Sequence, residues 1–239
     1  MDNMHDAAAF FARLSKELMS EQEEATTFER VANRAVEVVP ACDHAGITLR
    51  ERRHSAASVA STSEMAETCD RLQYELDEGP CLQAVWDDDS YLASDLAHDR
   101  RWPRWGPRAA ATGIGSVLAI RLATEEETLG ALNLYAERPG AFSPDDVDLA
   151  LIFASHAADA MNAARLVAGL ETAVRTRHSI GVAQGILMQR YDISMQQAFE
   201  VLRRYSSHSN IKVRELAHLI IEDGRLPDMA PPEPVPSSD

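Results

Sequence analysis

The 239-residue chain has three cysteines, two lysines and no apolar run approaching the ~18 residues that span a bilayer. Cys42, Cys69 and Cys81 form no CxxC pair and leave an odd thiol, which argues against a zinc ribbon or a disulfide framework and fits reducing surroundings. The N-terminus has no basic, apolar and small-residue succession of a secretory signal, so a cytoplasmic location without membrane contact is expected. Also missing are HExxH, an EF-hand loop and GxxxxGK[ST], and the Gly113/Gly115 pair lacks the further glycine of a dinucleotide loop. Neither a metal nor a resident cofactor is therefore expected. Asp87-Asp88-Asp89 lacks the glycine-containing loop and distal glutamate of a calcium site and reads as a solvated turn. An aspartyl phosphoacceptor needs a lysine beside its carboxylates, and Lys16 and Lys212 are the only lysines.

What is present is organised in two parts. The length suits one good-sized domain and a small one, at about 100 to 200 residues per domain. The formal charge is −15, which as an average argues against polyanion binding. The average conceals an asymmetry: residues 165–225 hold nine basic side chains against six acidic ones, a net +3 that leaves −18 on the remainder. Such a division reads as a basic interaction module on an acidic body.

Along the chain, Phe10, Phe11, Leu14 and Leu18 have loose helical spacing, and Phe28, Val31, Ala35 and Val38 continue a second helix until Pro40. Residues 44–50 and 55–60 read as strands of a hairpin joined by the charged turn at 50–53. Helix returns over 65–76, Gly79-Pro80 punctuates, and a short helical segment covers 81–86. Residues 116–122 and 129–135 form a second strand pair, which together with the first describes an α+β sandwich, an antiparallel sheet flanked by helices.

Ser143, Pro144, Asp145 and Asp146 then open a long helix with a cap, a proline at the first helical position and charges that complement the dipole. Leu149, Phe153, His156, Ala160, Ala163, Val167, Leu170 and Val174 follow at alternating steps of four and three, the spacing of a coiled-coil seam. Their span of about 40 Å predicts a homodimer, with packing on the protein's own sheet as the competing reading for the first half. Beyond Leu226 the proline-rich stretch lacks the apolar content to fold and is expected to be disordered.

The run from His178 to Tyr191, with Ala183-Gln184-Gly185 and Met188, the helix carrying Ala198, Phe199 and Leu202, and the closing Val213 to Ala217 resemble an ANTAR domain. Upstream, Glu78-Gly79-Pro80-Cys81-Leu82, the Asp99 to Pro103 run, Gly115 to Ile120 and Leu129 to Tyr135 resemble the GAF domains that precede such modules. The resemblance implies an N-terminal helix (1–20), a GAF sensor (21–165), an all-α three-helix ANTAR domain (166–226) and a tail (227–239). It also implies a dimer that binds a two-hairpin element in leader RNA and prevents intrinsic termination, with a small-molecule effector on the sensor and no catalysis.

RNA hairpins are read through phosphates and splayed bases, which suits arginine forks and amides. Arg177, Gln184, Arg190, Arg203, Arg204, Lys212 and Arg214 are the candidate RNA contacts; Gln184 stands where many relatives carry lysine. Tyr191 and Tyr205 can stack on bases or fill the core, the core being preferred, and His208 is either a contact or plain surface. Ile180, Ala183, Leu187, Tyr191, Ala198, Leu202, Val213, Leu216, Ala217 and Ile220 are the expected core of the module. Ser194 with Gln197 makes a capping box, and Asn210 can cap the last helix.

Cys81 is the candidate ligand-pocket residue of the sensor, and Trp102 with Trp105 can form a lid, a docking anchor or core. Because some GAF proteins reduce methionine sulfoxide with cysteines, a sulfoxide reductase using Cys81 is the enzymatic alternative. A DNA-binding regulator using the C-terminal helices is the other.

Overall fold

The computed structural model describes residues 2–20, 23–51, 55–86 and 89–227, with side chains from residue 9 onward. The elements in chain order are α1 (Asp2–Leu18), α2 (Glu24–Val38), β1 (His44–Arg50), β2 (Ala56–Ser61), α3 (Glu64–Leu76), α4 (Pro80–Trp86) and β3 (Ser90–Ala93). They continue with α5 (Trp105–Ala110), β4 (Ser116–Ala123), β5 (Thr128–Ala136), α6 (Pro144–Tyr191), α7 (Met195–Ser209) and α8 (Val213–Asp223). Two compact units result, Met1–Ala168 and Gly169–Asp239. No helix among the described residues is long and apolar enough to cross a membrane.

The first unit is built on one antiparallel sheet of order β2-β1-β5-β4-β3. Period-two alternation gives its faces different chemistry. Ala45 and Ile47 of β1, Leu118, Ile120 and Leu122 of β4, and Leu132 and Leu134 of β5 share a core with α1, α2 and the first half of α6. The opposite residues, Val117 and Ala119 of β4 and Ala131 and Tyr135 of β5, meet α3, α4 and α5. Both faces are thus covered, one by long amphipathic helices and the other by three shorter ones.

Local signals account for several helix ends. Ser63 caps α3 by accepting from the Ala66 amide, and Asp77 ends that helix in the left-handed region at φ 49°. Ser143 accepts from the Asp146 amide at 3.2 Å while the Asp146 carboxylate accepts from the Ser143 amide at 2.9 Å, a reciprocal cap that starts α6. Two elements escaped the sequence reading: the four-residue β3 and the short α5. The turn expected at 50–53 and the acidic run at 87–89 fall largely outside the described residues, as does the tail beyond 227; Asp89 is described and pairs with Arg121.

The seam expected along α6 is corrected over its first half. Phe153 and Ala160 are buried in the first unit's own core, and the His156 ring stacks on Phe11 at 5.7 Å between centroids. Leu149 and Ala163 are half-buried. The physical reason is the run of small residues Ala150, Ala154, Ala157, Ala158 and Ala164, all buried, which lets the helix lie close on the sheet. Val167, Leu170 and Val174 are exposed.

Gly130 sits where β5 passes β1 so closely that a Cβ would lie 1.8 Å from the Thr48 carbonyl oxygen. Backbone on the central strand cannot give way cheaply, so Gly130→Ala is expected to cost about 3 kcal/mol or more. The denaturant midpoint should fall accordingly, and an unchanged midpoint would contradict this close approach.

Candidate sensor cluster and nucleic-acid interface

Between the sheet and α3/α4 lies a cluster of polar side chains whose centre, Thr48, Asp70, Gln73 and Asn133, is buried, with Tyr74 half-buried and Ser58 exposed at its edge. Asp70 of α3 is fully buried, and its Oδ1 accepts from the Tyr135 hydroxyl at 2.5 Å and from Asn133 Nδ2 at 2.8 Å. Its Oδ2 accepts from the Ser58 hydroxyl at 3.2 Å. Thr48 Oγ1 accepts from Asn133 at 3.2 Å and from the Cys81 thiol at 3.1 Å, and lies 2.7 Å from the Tyr74 hydroxyl. Gln73 spans the layer, donating to Tyr135 at 3.3 Å and accepting from the Cys81 amide at 2.8 Å. Asn133 Oδ1 alone lacks a hydrogen-bond partner among the described residues of this cluster.

Desolvation pushes the Asp70 carboxyl up to about 6 against the donors from Tyr135, Ser58 and Asn133, which favour the ionised form. The same burial pushes the Cys81 thiol up to about 12, with the nearby Asp70 charge adding to it. Cys42 and Cys69 are raised by burial to about 12 and about 11. Burial therefore disfavours the thiolate that the enzymatic alternative at Cys81 would require. The residue does open α4, but it is a buried donor to Thr48, packed with Ala84, Val85, Ala119 and Ala131.

Next to this cluster a cavity of about 210 Å³ is lined by Glu78, Gly79, Gln83, Arg101 and Trp102 among others, and Cys81 is not in its wall. Trp102 and Trp105 are core: their rings meet edge to face at 6.0 Å, and their indole N–H groups donate to Gln83 and to the Cys69 carbonyl. Desolvation would raise the Glu78 carboxyl, but the Trp105 amide and the Arg104 guanidinium and amide hold it below the usual range. Among the described residues no group of three His, Cys, Asp or Glu side chains could hold a metal ion.

In the second unit, Ala183 and Leu187 of α6, Ala198 and Leu202 of α7, and Leu216, Ala217 and Ile220 of α8 form the buried core. The capping box of Ser194 and Gln197 is present at the start of α7. Asn210 ends α7 in the left-handed region at φ 55°, and Lys212 is the N-cap residue of α8, so the cap expected of Asn210 serves the preceding helix. Tyr191 is 47% exposed and lies outside the core, because the helix terminates there and leaves nothing to cover the ring. Tyr205 is half-buried and its hydroxyl donates to the Pro227 carbonyl at 2.5 Å.

The candidate RNA contacts divide by what they already hold. Gln184 donates to the Met195 carbonyl at 3.0 Å and Arg190 to the Gly224 carbonyl at 3.2 Å, both fastening the bundle. Arg203 pairs with Glu200 on the same helix at 2.9 Å. Arg177, Arg204, Lys212 and Arg214 are exposed. His208 Nδ1 lies 2.9 Å from the Arg204 carbonyl, an internal helix contact. Arg175, His178 and His218, which are not among the candidates, line a groove together with Arg214.

An antiparallel sheet with helices on both faces, followed in the chain by a small helical bundle, makes an α+β unit and then an all-α one. The chain belongs to the GAF domain family over residues 21–162, and residues 168–221 match the ANTAR domain, an RNA-binding antitermination module, which makes it a GAF–ANTAR regulator. Among solved structures, the GAF domain of a phosphoenolpyruvate-protein phosphotransferase from Acinetobacter is 16% identical, with 70% of this chain and 98% of that one covered at a TM-score of 0.53. The corresponding domain from Coxiella burnetii is 15% identical, covering 66% and 94% at 0.53. Free methionine-R-sulfoxide reductase from Neisseria meningitidis is 13% identical, covering 65% and 87% at 0.52. At these identities the likeness carries the fold alone. No curated protein matches the chain.

The Asp70 cluster has a measurable signature. A carboxyl raised from 3.8 to about 6 binds its proton more tightly in the folded chain, so its contribution to stability is greatest below 3.8 and declines as pH rises towards 6. The decline is about 3 kcal/mol at ~1.4 kcal/mol per unit. Asp70→Asn keeps an oxygen for Tyr135 and Asn133, and is expected to flatten the dependence of unfolding free energy on pH across that window. Parallel curves for the two proteins would show that this carboxyl does not titrate there.

Proposed function

We propose that the chain is a cytoplasmic, homodimeric, signal-responsive antiterminator that binds paired hairpins in leader transcripts and keeps an overlapping intrinsic terminator from forming. The observation that carries this reading is the pairing of an ANTAR match with a net-basic segment on an otherwise acidic chain. RNA affinity comes largely from phosphate neutralisation, and the arginines exposed on the second unit are suited to it. The half-exposed rings of Tyr191 and Phe199 are available to stack on splayed bases.

The mechanism is a competition between two RNA structures. Bound protein shifts their equilibrium by its differential affinity, and polymerase reads through without any chemical step on the RNA. The effector is a small molecule at the first unit, whose polar cluster ties α3 and α4 to the sheet through bonds that a ligand would have to replace. We take 1–20, 21–165, 166–226 and 227–239 as N-terminal helix, sensor, RNA module and tail.

Sulfoxide reduction is disfavoured by the state of the thiols, each buried and raised to about 11 or 12, where little thiolate exists at neutral pH. A DNA-binding role is separated by competition: the proposed reading expects a salt-dependent preference for paired RNA hairpins over duplex DNA, and equal binding to any duplex would reject it.

Dimerisation is proposed through the exposed stretch of α6, where Leu170 and Val174 are 67% and 68% exposed and Leu166 is 61% exposed. Large apolar side chains at such spacing on a helix call for a partner helix. Leu170→Glu is expected to convert the dimer to monomer in light scattering with an unchanged helical circular dichroism signal. A dimer mass retained by the variant would reject the seam.

A further inference from the structure

Within the Gly169–Asp239 unit a groove of about 570 Å³ is bounded by residues 172–179 of α6 and by Arg214 and His218 of α8. Helical spacing builds its walls: Thr172, Arg175 and Ser179 share one stripe of α6 at steps of three and four, with His178 beside them, and Arg214 and His218 are four apart on α8. The opposite side of α8 is fixed by burial of Leu216, Ala217 and Ile220, and α6 is held by Ala183 and Leu187, so the walls rest on the module's core. The lining brings two guanidinium groups, two imidazoles and the hydroxyls of Thr172, Thr176 and Ser179 around the exposed apolar side chain of Val174, and no carboxylate is part of it. Arg214 Nε lies 3.8 Å from Glu215 with both side chains about half exposed, a pair too weak to occupy the arginine.

We propose that this groove is a phosphodiester seat of the RNA module, an inference that rests on the RNA-binding reading above. Arg175 and Arg214 face the strand from two helices and neutralise neighbouring phosphates, with bidentate hydrogen bonds available to each. His178 and His218 donate ring N–H groups to phosphate or ribose oxygens. Thr172 and Ser179 supply hydroxyls that bond phosphate and the 2′-hydroxyl, the group that separates RNA from DNA. Charge decides the occupant. The seam proposed for α6 ends at Val174 on the edge of this groove; a two-fold contact carried further, across the groove, would bring four arginines together without a counter-charge, whereas a polyanion satisfies all of them.

The test uses the full chain and a fluorescein-labelled hairpin RNA selected by that chain from a random pool, with anisotropy titrations at several salt concentrations. Arg175→Ala and Arg214→Ala are each expected to weaken binding roughly five- to ten-fold and to lower the slope of log affinity against log salt by about one. Arg175→Lys and Arg214→Lys should recover most of that slope, and all four variants should keep the wild-type thermal midpoint because the altered side chains are exposed. Alanine variants with wild-type affinity and slope overturn the seat while leaving the RNA reading intact. Failure of the wild-type chain to enrich any RNA overturns both. Loss of dimer mass in the Arg175→Ala variant assigns the groove to a second copy and overturns the proposal.

Discussion

Asp70 imposes the condition on which one whole side of the sensor depends. An ionisable group without solvent must find hydrogen-bond donors or lose its charge, and the chain supplies Tyr135, Asn133 and Ser58 from two different strands. Satisfying it couples residues far apart in sequence. Gly46 has to lack a side chain, since a Cβ there would come within 2.4 Å of the Asp70 carboxylate. Gly79 takes a φ of 149° with Gln73 packed against it, and the next turn delivers the Cys81 amide to the same glutamine. The Gly-Pro-Cys stretch, the Asn and Tyr of β5 and the Asp and Gln of α3 are therefore parts of one device.

That device makes the two faces of the sheet unequal. Against α1, α2 and α6 the contact is almost wholly aliphatic, close-packed and indifferent to orientation within the limits of side-chain shape. Against α3 and α4 the contact is directional, because a hydrogen bond weakens steeply when its angle fails. A disturbance that tilts α4 would break the bonds of Cys81 to Thr48 and to Gln73 together.

Much of this was legible in the sequence, to different depths. Strands β1, β4 and β5 carried their own evidence in β-branched and alternating residues, and the three-helix core of the second unit followed from spacing alone. What spacing could not show was which buried side would be polar: Asp70, Gln73 and Asn133 are unremarkable as letters, and their partnership exists only across the sheet. Strand β3 has four residues and α5 has six, too few for any period to register, and both exist through packing on β4 and α3. Asn210 illustrates a different limit. A side chain that favours helix starts also tolerates the left-handed region, and two helices separated by so short a turn compete for it; backbone geometry assigned it to the first. Arg175, His178 and His218 were passed over because a groove between helices has no linear signature.

The long helix shows why one periodicity supports two outcomes. Steps of three and four between apolar residues state only that one stripe is apolar; they are silent on whether its partner is a sheet in the same chain or a helix from another. Side-chain size breaks the tie. Where alanine flanks the stripe on both sides, as at Ala150, Ala154, Ala157 and Ala158, the helix axis can approach a sheet closely over a wide front, and the covered area grows with every alanine added. Where the stripe narrows to Val167, Leu170 and Val174, with Leu166 beside it, between Arg165, Glu171 and Arg175, flanking charges prevent a broad contact and leave only a ridge. A narrow apolar ridge bordered by charge is what knobs-into-holes packing requires, and a flat sheet cannot supply the holes. The change from alanine to leucine along α6 thus marks where packing within the chain gives way to an exposed apolar ridge.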